Sequence, residues 1–176
     1  MPLPLVTERL RLRHHRFGDA DALYRLWDPP EVWTYVGAGK PSEYSLFGIA
    51  KGISVQRERL AAHGWSGLIV QTRDGGEVIG ECGLYEWPDT DEVELGYRFG
   101  PAHWGEGFGG EAARAVLDWA ENDLGLKSLI CVVQDENMAS WRIATGLGFT
   151  LERCEDYDYG DGVARLTRFY RWHAVE

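Results

Sequence analysis

A glycine-rich loop that runs into a helix directs the interpretation of this sequence. Four glycines, Gly105, Gly107, Gly109 and Gly110, stand directly before an alanine-rich helical pattern that ends near Leu124. Glycine is the poorest helix former apart from proline, so glycines at this place indicate a backbone with positive φ or one that another group approaches closely. The first N–H groups of a helix have no acceptor within the helix, and they attract anions. The segment therefore predicts an anion-binding loop.

Two familiar nucleotide-binding loops fit this segment poorly. A P-loop ends in Gly-Lys-Ser/Thr, whereas this loop ends in Gly-Gly-Glu and contains no lysine. The dinucleotide pattern GxGxxG fits formally at Gly105, Gly107 and Gly110, but residues 101–104 separate it from the preceding strand. It also follows a meander of strands instead of opening a βαβαβ array. A nicotinamide-binding domain is therefore the last of three functional hypotheses for this chain. The anion that remains as a candidate ligand of the loop is the pyrophosphate of another cofactor.

The periodicity along the chain predicts a mixed α+β fold. Alternating or continuous apolar residues bounded by turn residues indicate strands, and apolar residues three and four positions apart indicate helices. Strands are predicted over residues 8–15, 66–73, 77–87, 91–99, 127–135, 149–156 and 164–174. Helices are predicted over residues 17–28 with Asp19 as N-cap, over 42–63, from the glycine loop to about 124, and over 137–148. A meander followed by one β-α-β unit is typical of a mixed sheet and not of a doubly wound one.

Composition and charge exclude several classes of protein. The chain has 176 residues, and we expect residues 1–176 to form a single domain. A net charge of −10 argues against a nucleic-acid partner, which requires a basic face. The sequence lacks a run of 18 apolar residues and the charged-then-apolar order of a signal peptide, so we expect no membrane span and a cytoplasmic protein. Cys82, Cys131 and Cys154 and the scattered histidines have no metal-ligand spacing, so we expect no metal site and reduced, buried thiols.

The segment from Trp104 to Gly109 resembles the loop of the GNAT acyltransferases, Gln/Arg-x-x-Gly-x-Gly/Ala, except that tryptophan occupies the first position. Tryptophan at this place is similar to the ribosomal-protein alanine N-acetyltransferase (RimJ/RimL-like) branch. The segments TERLRLR, VIGECGL, ELGYRF and ENMASWRIATGLGF resemble that branch in the same order, from Val6 to Phe149. The resemblance implies a GNAT-like α+β fold, with a mostly antiparallel mixed sheet of about seven strands that is flanked by helices and splayed between the fourth and fifth strands.

The resemblance also implies acetyl-CoA as co-substrate, bound where the fourth and fifth strands separate. The glycine loop would hold the pyrophosphate, and backbone groups from Gly96 to Phe99 would pair with the pantetheine arm, one N–H polarising the thioester carbonyl. Asn137 would bond the cofactor, cap the helix that follows it, or do both. The implied cofactor-binding residues are Tyr97, Arg98, Phe99, Trp104, Gly105, Gly107, Phe108, Gly109, Gly110, Asn137 and Arg142. Leu95, Tyr97 and Phe99 fit alternating core positions equally well, and Glu106 and Glu111 are acids close to a proposed anion site.

Three residues are candidates for catalysis, two of them as the base and one to stabilise the leaving thiolate. An alkylamine is protonated at pH 7, so a base, or a water relay to one, must take its proton before or during attack. Glu94 on the fourth strand is the candidate base, with a solvated or paired strand carboxylate as its alternative, and Glu81 is a second and weaker candidate. Ser140 is the family-matched residue that would stabilise the leaving thiolate with a hydrogen bond, and a helix-capping role is the alternative. Many GNAT enzymes use a tyrosine in this helix, whereas here Trp141 follows Ser140.

We therefore expect an N-acetyltransferase that acts on a primary amine, either a protein N-terminus or a small molecule, by direct attack in a ternary complex. A non-catalytic acyl-CoA sensor of the same fold is the alternative, because Trp141 and Thr145-Gly146 depart from the family pattern. The first two helices would shape the acceptor pocket. Their aromatic residues line that pocket or fill the core; they are Trp27, Trp33, Tyr35 and Tyr44. A homodimer is expected by resemblance, since dimers are common among such proteins.

Overall fold

The computed structural model describes residues 3–39, 41 and 44–174, and this part of the chain contains eight strands and four α-helices. The strands are β1 (Leu5–Val6), β2 (Leu10–Arg13), β3 (Gly67–Thr72), β4 (Val78–Glu86), β5 (Val93–Phe99), β6 (Ser128–Gln134), β7 (Thr150–Asp158) and β8 (Ala164–His173). The helices are α1 (Ala20–Trp27), α2 (Leu46–His63), α3 (Phe108–Asn122) and α4 (Met138–Gly146). The predicted order of elements is confirmed, with the two-residue strand β1 added before it.

The eight strands form one sheet in the order β1-β2-β3-β4-β5-β6-β8-β7. Every neighbouring pair is antiparallel except β5 and β6, which are parallel and paired at a single position, Glu94 opposite Ile130. Two strands that pair at one position diverge on either side of it, so the sheet opens here. The splay predicted between the fourth and fifth strands is thereby confirmed, and β1 shifts the numbering by one.

Helices cover both faces of the sheet. On one, α3 and α4 pack Ala112, Val116 and Ala144 into the larger core. On the other, α1 and α2 enclose a smaller core with Trp27 and Ile53. We call these the α3–α4 face and the α1–α2 face.

Successive side chains of a strand point to opposite faces, so β5 presents different residues to the two helical layers. Tyr97 contacts α4, which places Leu95 and Phe99 on the α3–α4 face with it. Arg98 stacks on Trp27 of α1, which places Glu94 on the α1–α2 face with it.

Asp19 is the N-cap of α1 as predicted, and helix α2 begins later than predicted. The carboxylate of Asp19 makes no capping bond to α1; it accepts hydrogen bonds from Arg13 and from the backbone N–H of Arg16. Helix α2 begins after Ser45, whose hydroxyl accepts from the N–H of Gly48; its predicted start at residue 42 lies outside the described residues. Within the described residues, no helix is both long and apolar enough to cross a membrane.

Candidate active site

The glycine loop leaves a series of backbone amides without acceptors. Gly105 and Gly107 have φ of 80° and 78°, a conformation that L side chains rarely adopt, and Gly107 is the N-cap of α3. Within the described part of the chain, the first N–H of this segment that finds an acceptor is that of Glu111, which donates to the carbonyl of Gly107 at 3.1 Å. The amides from Gly105 to Gly110 are therefore free to bind an anion at the positive end of the α3 dipole.

The carboxylate of Glu111 turns away from these amides and binds the β1–β2 turn. It accepts hydrogen bonds from the hydroxyl of Thr7 at 2.5 Å, from the backbone N–H of Arg9 at 2.9 Å and from its guanidinium at 2.6 Å. Burial opposes ionisation, but these bonds and the charge of Arg9 lower the pKa of Glu111 below its ordinary value. The acid beside the proposed anion site is thus neutralised by its own partner, and Glu106 is exposed.

Arg9 also contacts the glycine loop directly. Its guanidinium donates to the carbonyl of Glu106 at 2.8 Å and lies 4.5 Å from the ring centroid of Phe108. On the other side, the indole N–H of Trp104 donates to the carbonyl of Phe99 at 2.8 Å, which joins the loop to the end of β5. Sequence patterns missed Thr7 and Arg9 because they lie about a hundred residues before the loop that they hold.

The start of α3 faces α4 across a narrow gap. A Cβ atom added to Gly109 would lie 3.1 Å from Cδ1 of Ile143 and 3.7 Å from Cε2 of Phe99. The side chain of Phe99 is buried in the core beneath the loop, and its carbonyl accepts a hydrogen bond from Trp104. The cofactor contact predicted for Phe99 would therefore be made by the rest of its backbone. A side chain at Gly109 would therefore require Ile143 to shift by a few tenths of an ångström.

The side chains of Arg98 and Arg142 both lie against tryptophan rings. The Arg98 guanidinium lies 4.1 Å and 4.8 Å from the ring centroids of Trp27 and Trp33 on the α1–α2 face. Arg142 is exposed, and its guanidinium is 5.7 Å from the ring centroid of Trp141. The Arg98 side chain is therefore turned away from the predicted cofactor, and only its backbone faces the predicted pantetheine path.

The N-terminus of α4 is built around Asn137 and Ser140. The carboxamide oxygen of Asn137 accepts from the N–H of Ser140 at 3.3 Å, so its capping role is confirmed. The phenol of Tyr97 donates to the carbonyl of Ser140 at 2.9 Å and lies 3.0 Å from its Oγ. Burial raises the pKa of Tyr97 well above its ordinary value, so the phenol remains protonated.

Glu94 lies at the single position where β5 and β6 pair. Burial raises the pKa of Glu94 to about 7, although a hydrogen bond from the backbone N–H of Val132 acts in the opposite direction. A carboxylate with this pKa is ionised in part at neutral pH and is basic enough to hold a proton, as a general base requires. Glu94 faces the α1–α2 layer, and Ser140 lies on the α3–α4 side of the same opening.

Glu81, the second candidate base, is held in a different state. It accepts a hydrogen bond from the buried His15 at 2.6 Å and from Arg98 at 3.2 Å. Burial alone would raise the pKa of Glu81, but these two partners lower it to about 2. A carboxylate held in its ionised form by these two partners is a poor proton acceptor, so the geometry favours Glu94 over Glu81 as the base.

The sheet surface beside Glu94 is aromatic. Tyr85 is directly opposite Glu94 on β4. A Cβ at Gly67 would lie 2.5 Å from the Tyr85 hydroxyl and one at Gly96 would lie 3.1 Å from its ring, so the ring lies flat over both glycines. Tyr159 lies close enough for the charge of Glu94 to add to the effect of burial in raising its pKa.

The aromatic residues predicted for the first two helices divide between core and surface. Trp27 is buried at 1% exposure, and Trp33 and Tyr44 pack against the same core, whereas Tyr35 is exposed. Trp33 donates its indole N–H to the carbonyl of Trp27 at 2.6 Å. Cys82, Cys131 and Cys154 are free thiols; the first two are buried as expected, whereas Cys154 is exposed, so that expectation is wrong for it. No group of metal-ligating side chains occurs among the described residues.

Comparisons with known proteins agree on one family. Residues 9–150 match the model described as Acetyltransferase (GNAT) domain. The chain is 33% identical to an uncharacterized N-acetyltransferase, p20, of Bacillus licheniformis, over 98% of this chain and 96% of that protein. It is similar to the crystal structure of an acetyltransferase from Agrobacterium tumefaciens strain C58, with 29% identity, a TM-score of 0.79 and coverage of 99% and 96%.

A second similar structure contains coenzyme A, the part of the expected co-substrate that remains after acetyl transfer. It is the ribosomal L7/L12 alpha-N-protein acetyltransferase RimL in complex with coenzyme A, with a TM-score of 0.82 and coverage of 96% of both chains. Its identity to this chain is 18%, which shows a shared fold.

Proposed function

The chain belongs to the acetyltransferase (GNAT) family, and on that premise we propose that it moves the acetyl group of acetyl-CoA to a primary amine by direct attack in a ternary complex. The observation that carries the proposal is the row of unpaired amides from Gly105 to Gly110, beside the opening between β5 and β6. An anion site next to a gap in the sheet suits a long co-substrate with a diphosphate at one end and a thioester at the other.

The loop residues fit this co-substrate. The amides of Gly105, Gly107, Phe108, Gly109 and Gly110 would bind the pyrophosphate, with Trp104 as the edge of the site. The backbone from Gly96 to Phe99 would pair with the pantetheine arm in the splay, as one more strand would. Asn137 caps α4 through its oxygen, which leaves its amide nitrogen as a donor for the co-substrate.

The two faces of the sheet would serve different parts of the reaction. On the α1–α2 face, Glu94 would accept a proton from the amine as its nitrogen attacks the carbonyl carbon. On the α3–α4 face, the hydroxyl of Ser140 would donate a hydrogen bond to the thiolate as the carbon–sulfur bond breaks. No covalent bond to the enzyme is required, so Cys131, although buried nearby, has no role in the transfer.

The acceptor would lie on the flat ring of Tyr85 with its amine at Glu94. An aromatic face beside a carboxylate favours a cationic ammonium group. We place the chain in the RimJ/RimL-like branch on its WGEGF and ENMAS segments, and the acceptor is accordingly a protein N-terminus or a small-molecule amine. We further propose that residues 1–176 form one acetyltransferase domain that acts in the cytoplasm, with a homodimer as the expected assembly.

Ligand-induced stabilisation tests the co-substrate. At a concentration one hundred times its Kd, a ligand stabilises the folded state by about 2.7 kcal/mol, which corresponds to a rise in Tm of about 5–10 °C for a domain of this size. We expect this rise with acetyl-CoA and with CoA, and no rise with NAD. A response to NAD alone would contradict the proposal and support a nicotinamide-binding domain.

Turnover then separates an enzyme from a sensor. Thiol release from acetyl-CoA is measured with a panel of small amines and of peptides with free N-termini, with N-acetylated peptides as controls. We expect release with at least one free amine and none with its acetylated counterpart. Stabilisation by acetyl-CoA without release on any free amine would support the non-catalytic acyl-CoA sensor.

A further inference from the structure

A tyrosine hydroxyl reaches the start of α4 from a neighbouring strand. Helix α4 contains no tyrosine, and its candidate for stabilising the thiolate is Ser140. Tyr97 on β5 places its phenol oxygen 3.0 Å from Oγ and 2.9 Å from the carbonyl oxygen of Ser140. The two residues are 43 positions apart, so the fold alone brings them together. Cys131 is the other group within hydrogen-bond reach of this phenol.

Hydroxyl chemistry gives this contact two alternative arrangements. Each hydroxyl has one hydrogen to donate and two lone pairs to accept with. In one arrangement Tyr97 donates to the Ser140 carbonyl and Ser140 donates to the phenol oxygen. In the other, Tyr97 donates to Ser140 Oγ, and the serine hydrogen is free to point elsewhere. The two arrangements differ by rotation of hydrogens and require no movement of heavy atoms.

We propose that Tyr97 is a positioning residue that holds the Ser140 hydroxyl with its hydrogen directed at the departing thiolate. This inference rests on the proposed acetyl transfer. As the carbon–sulfur bond breaks, its electron pair goes to sulfur, and the negative charge there favours the arrangement in which Tyr97 donates to Ser140 and Ser140 donates to sulfur. Hydrogen bonds in such a chain strengthen one another. Neither hydroxyl gives up its proton. An ammonium acceptor loses one proton to solvent to become the neutral amine that attacks, and the second proton, from the nitrogen that has attacked, goes to Glu94.

A double-mutant cycle tests the inference, because the carbonyl of residue 140 is present whatever its side chain. Tyr97→Phe, Ser140→Ala and the double variant are compared in single-turnover acetyl transfer. We expect Tyr97→Phe to lower the rate about tenfold, which corresponds to the loss of about one hydrogen bond, with the Kd for acetyl-CoA unchanged. In the Ser140→Ala background, the same Tyr97→Phe change is expected to alter the rate by less than about twofold.

The cycle also separates positioning from a structural tether. If Tyr97 served only to fasten α4 through the Ser140 carbonyl, its removal would slow both backgrounds equally, and that result would overturn the inference. Tyr170→Phe on β8, which removes another buried phenol, is the matched control and is expected to leave the rate unchanged. Turnover by the unmodified chain in the same assay tests the proposed function separately, so the two failures are distinguishable.

Discussion

Replacement of Glu94 by glutamine is expected to lower acetyl transfer at pH 7 by about 100-fold or more, since a positioned general base contributes about 10²–10⁴-fold. Glutamine has the shape of glutamate and keeps an oxygen that can accept from the backbone N–H of Val132. The variant therefore removes the base and preserves the local structure. The measurement is kcat/KM for the best acceptor in the amine panel.

The pH dependence of kcat/KM tests the predicted role of Glu94 most directly. Burial raises the pKa of Glu94 to about 7, and only the ionised form accepts a proton, so kcat/KM of the unmodified enzyme should rise through this pH. In Glu94→Gln, this rise of kcat/KM near pH 7 should disappear. The deficit should also shrink at alkaline pH, where free amine becomes abundant and needs no base. An unchanged profile in the variant would remove Glu94 as the base.

Two controls test whether the lost activity of Glu94→Gln comes from removal of the base. Glu81→Gln changes a neighbouring carboxylate whose pKa is lowered to about 2 by His15 and Arg98, so it should retain the rise of kcat/KM near pH 7. Stability is the second control. A carboxylate with a folded-state pKa above its unfolded value destabilises the fold once pH exceeds that unfolded value. Glu94→Gln should accordingly match or exceed the unmodified protein in Tm at pH 8, so lost activity cannot be attributed to unfolding.

Local sequence signals predicted the elements and the loop because both depend on short-range chemistry. The glycines between Trp104 and Glu111 report a backbone conformation, and Gly105 and Gly107 do have positive φ. The apolar periodicity located every long strand, and the family pattern correctly placed the splay. The two-residue strand β1 escaped prediction, because Leu5 and Val6 are too short a run to show any period.

Side-chain partners that are distant along the chain could not be predicted in this way. Arg9 and Glu111 are 102 residues apart, and nothing in either segment indicates that a basic residue neutralises the acid beside the loop. The same holds for Tyr97. The sequence predicts a cofactor contact or a core residue at this position, and only the fold shows that its phenol contacts Ser140. Nothing in the sequence around Glu81 indicates its contacts with His15 and Arg98, which disfavour this carboxylate as a base.

The pyrophosphate loop supplies the second large effect. Gly107→Ala is expected to weaken binding of CoA by about 10- to 100-fold. A Cβ at Gly107 meets nothing closer than the guanidinium of Arg9 at 3.5 Å, so crowding is not the cause. The cause is its φ of 78°, which costs an L residue about 1–2 kcal/mol. Relief of that strain turns the adjacent amides away from the anion, and each charge-assisted hydrogen bond lost is worth about 1.5–3 kcal/mol.

Gly125→Ala provides the matched comparison at the opposite end of α3. Gly125 has a φ of 68° and open space around its Cα, so alanine there meets the same backbone cost without touching the loop. Both variants should lose about 1–2 kcal/mol in urea unfolding, but only Gly107→Ala should lose affinity for CoA by calorimetry. Equal loss of affinity in both would point to a general effect on the fold. Unchanged affinity in Gly107→Ala would show that the loop does not bind the diphosphate, because no rearrangement of the other contacts could compensate for amides turned out of line.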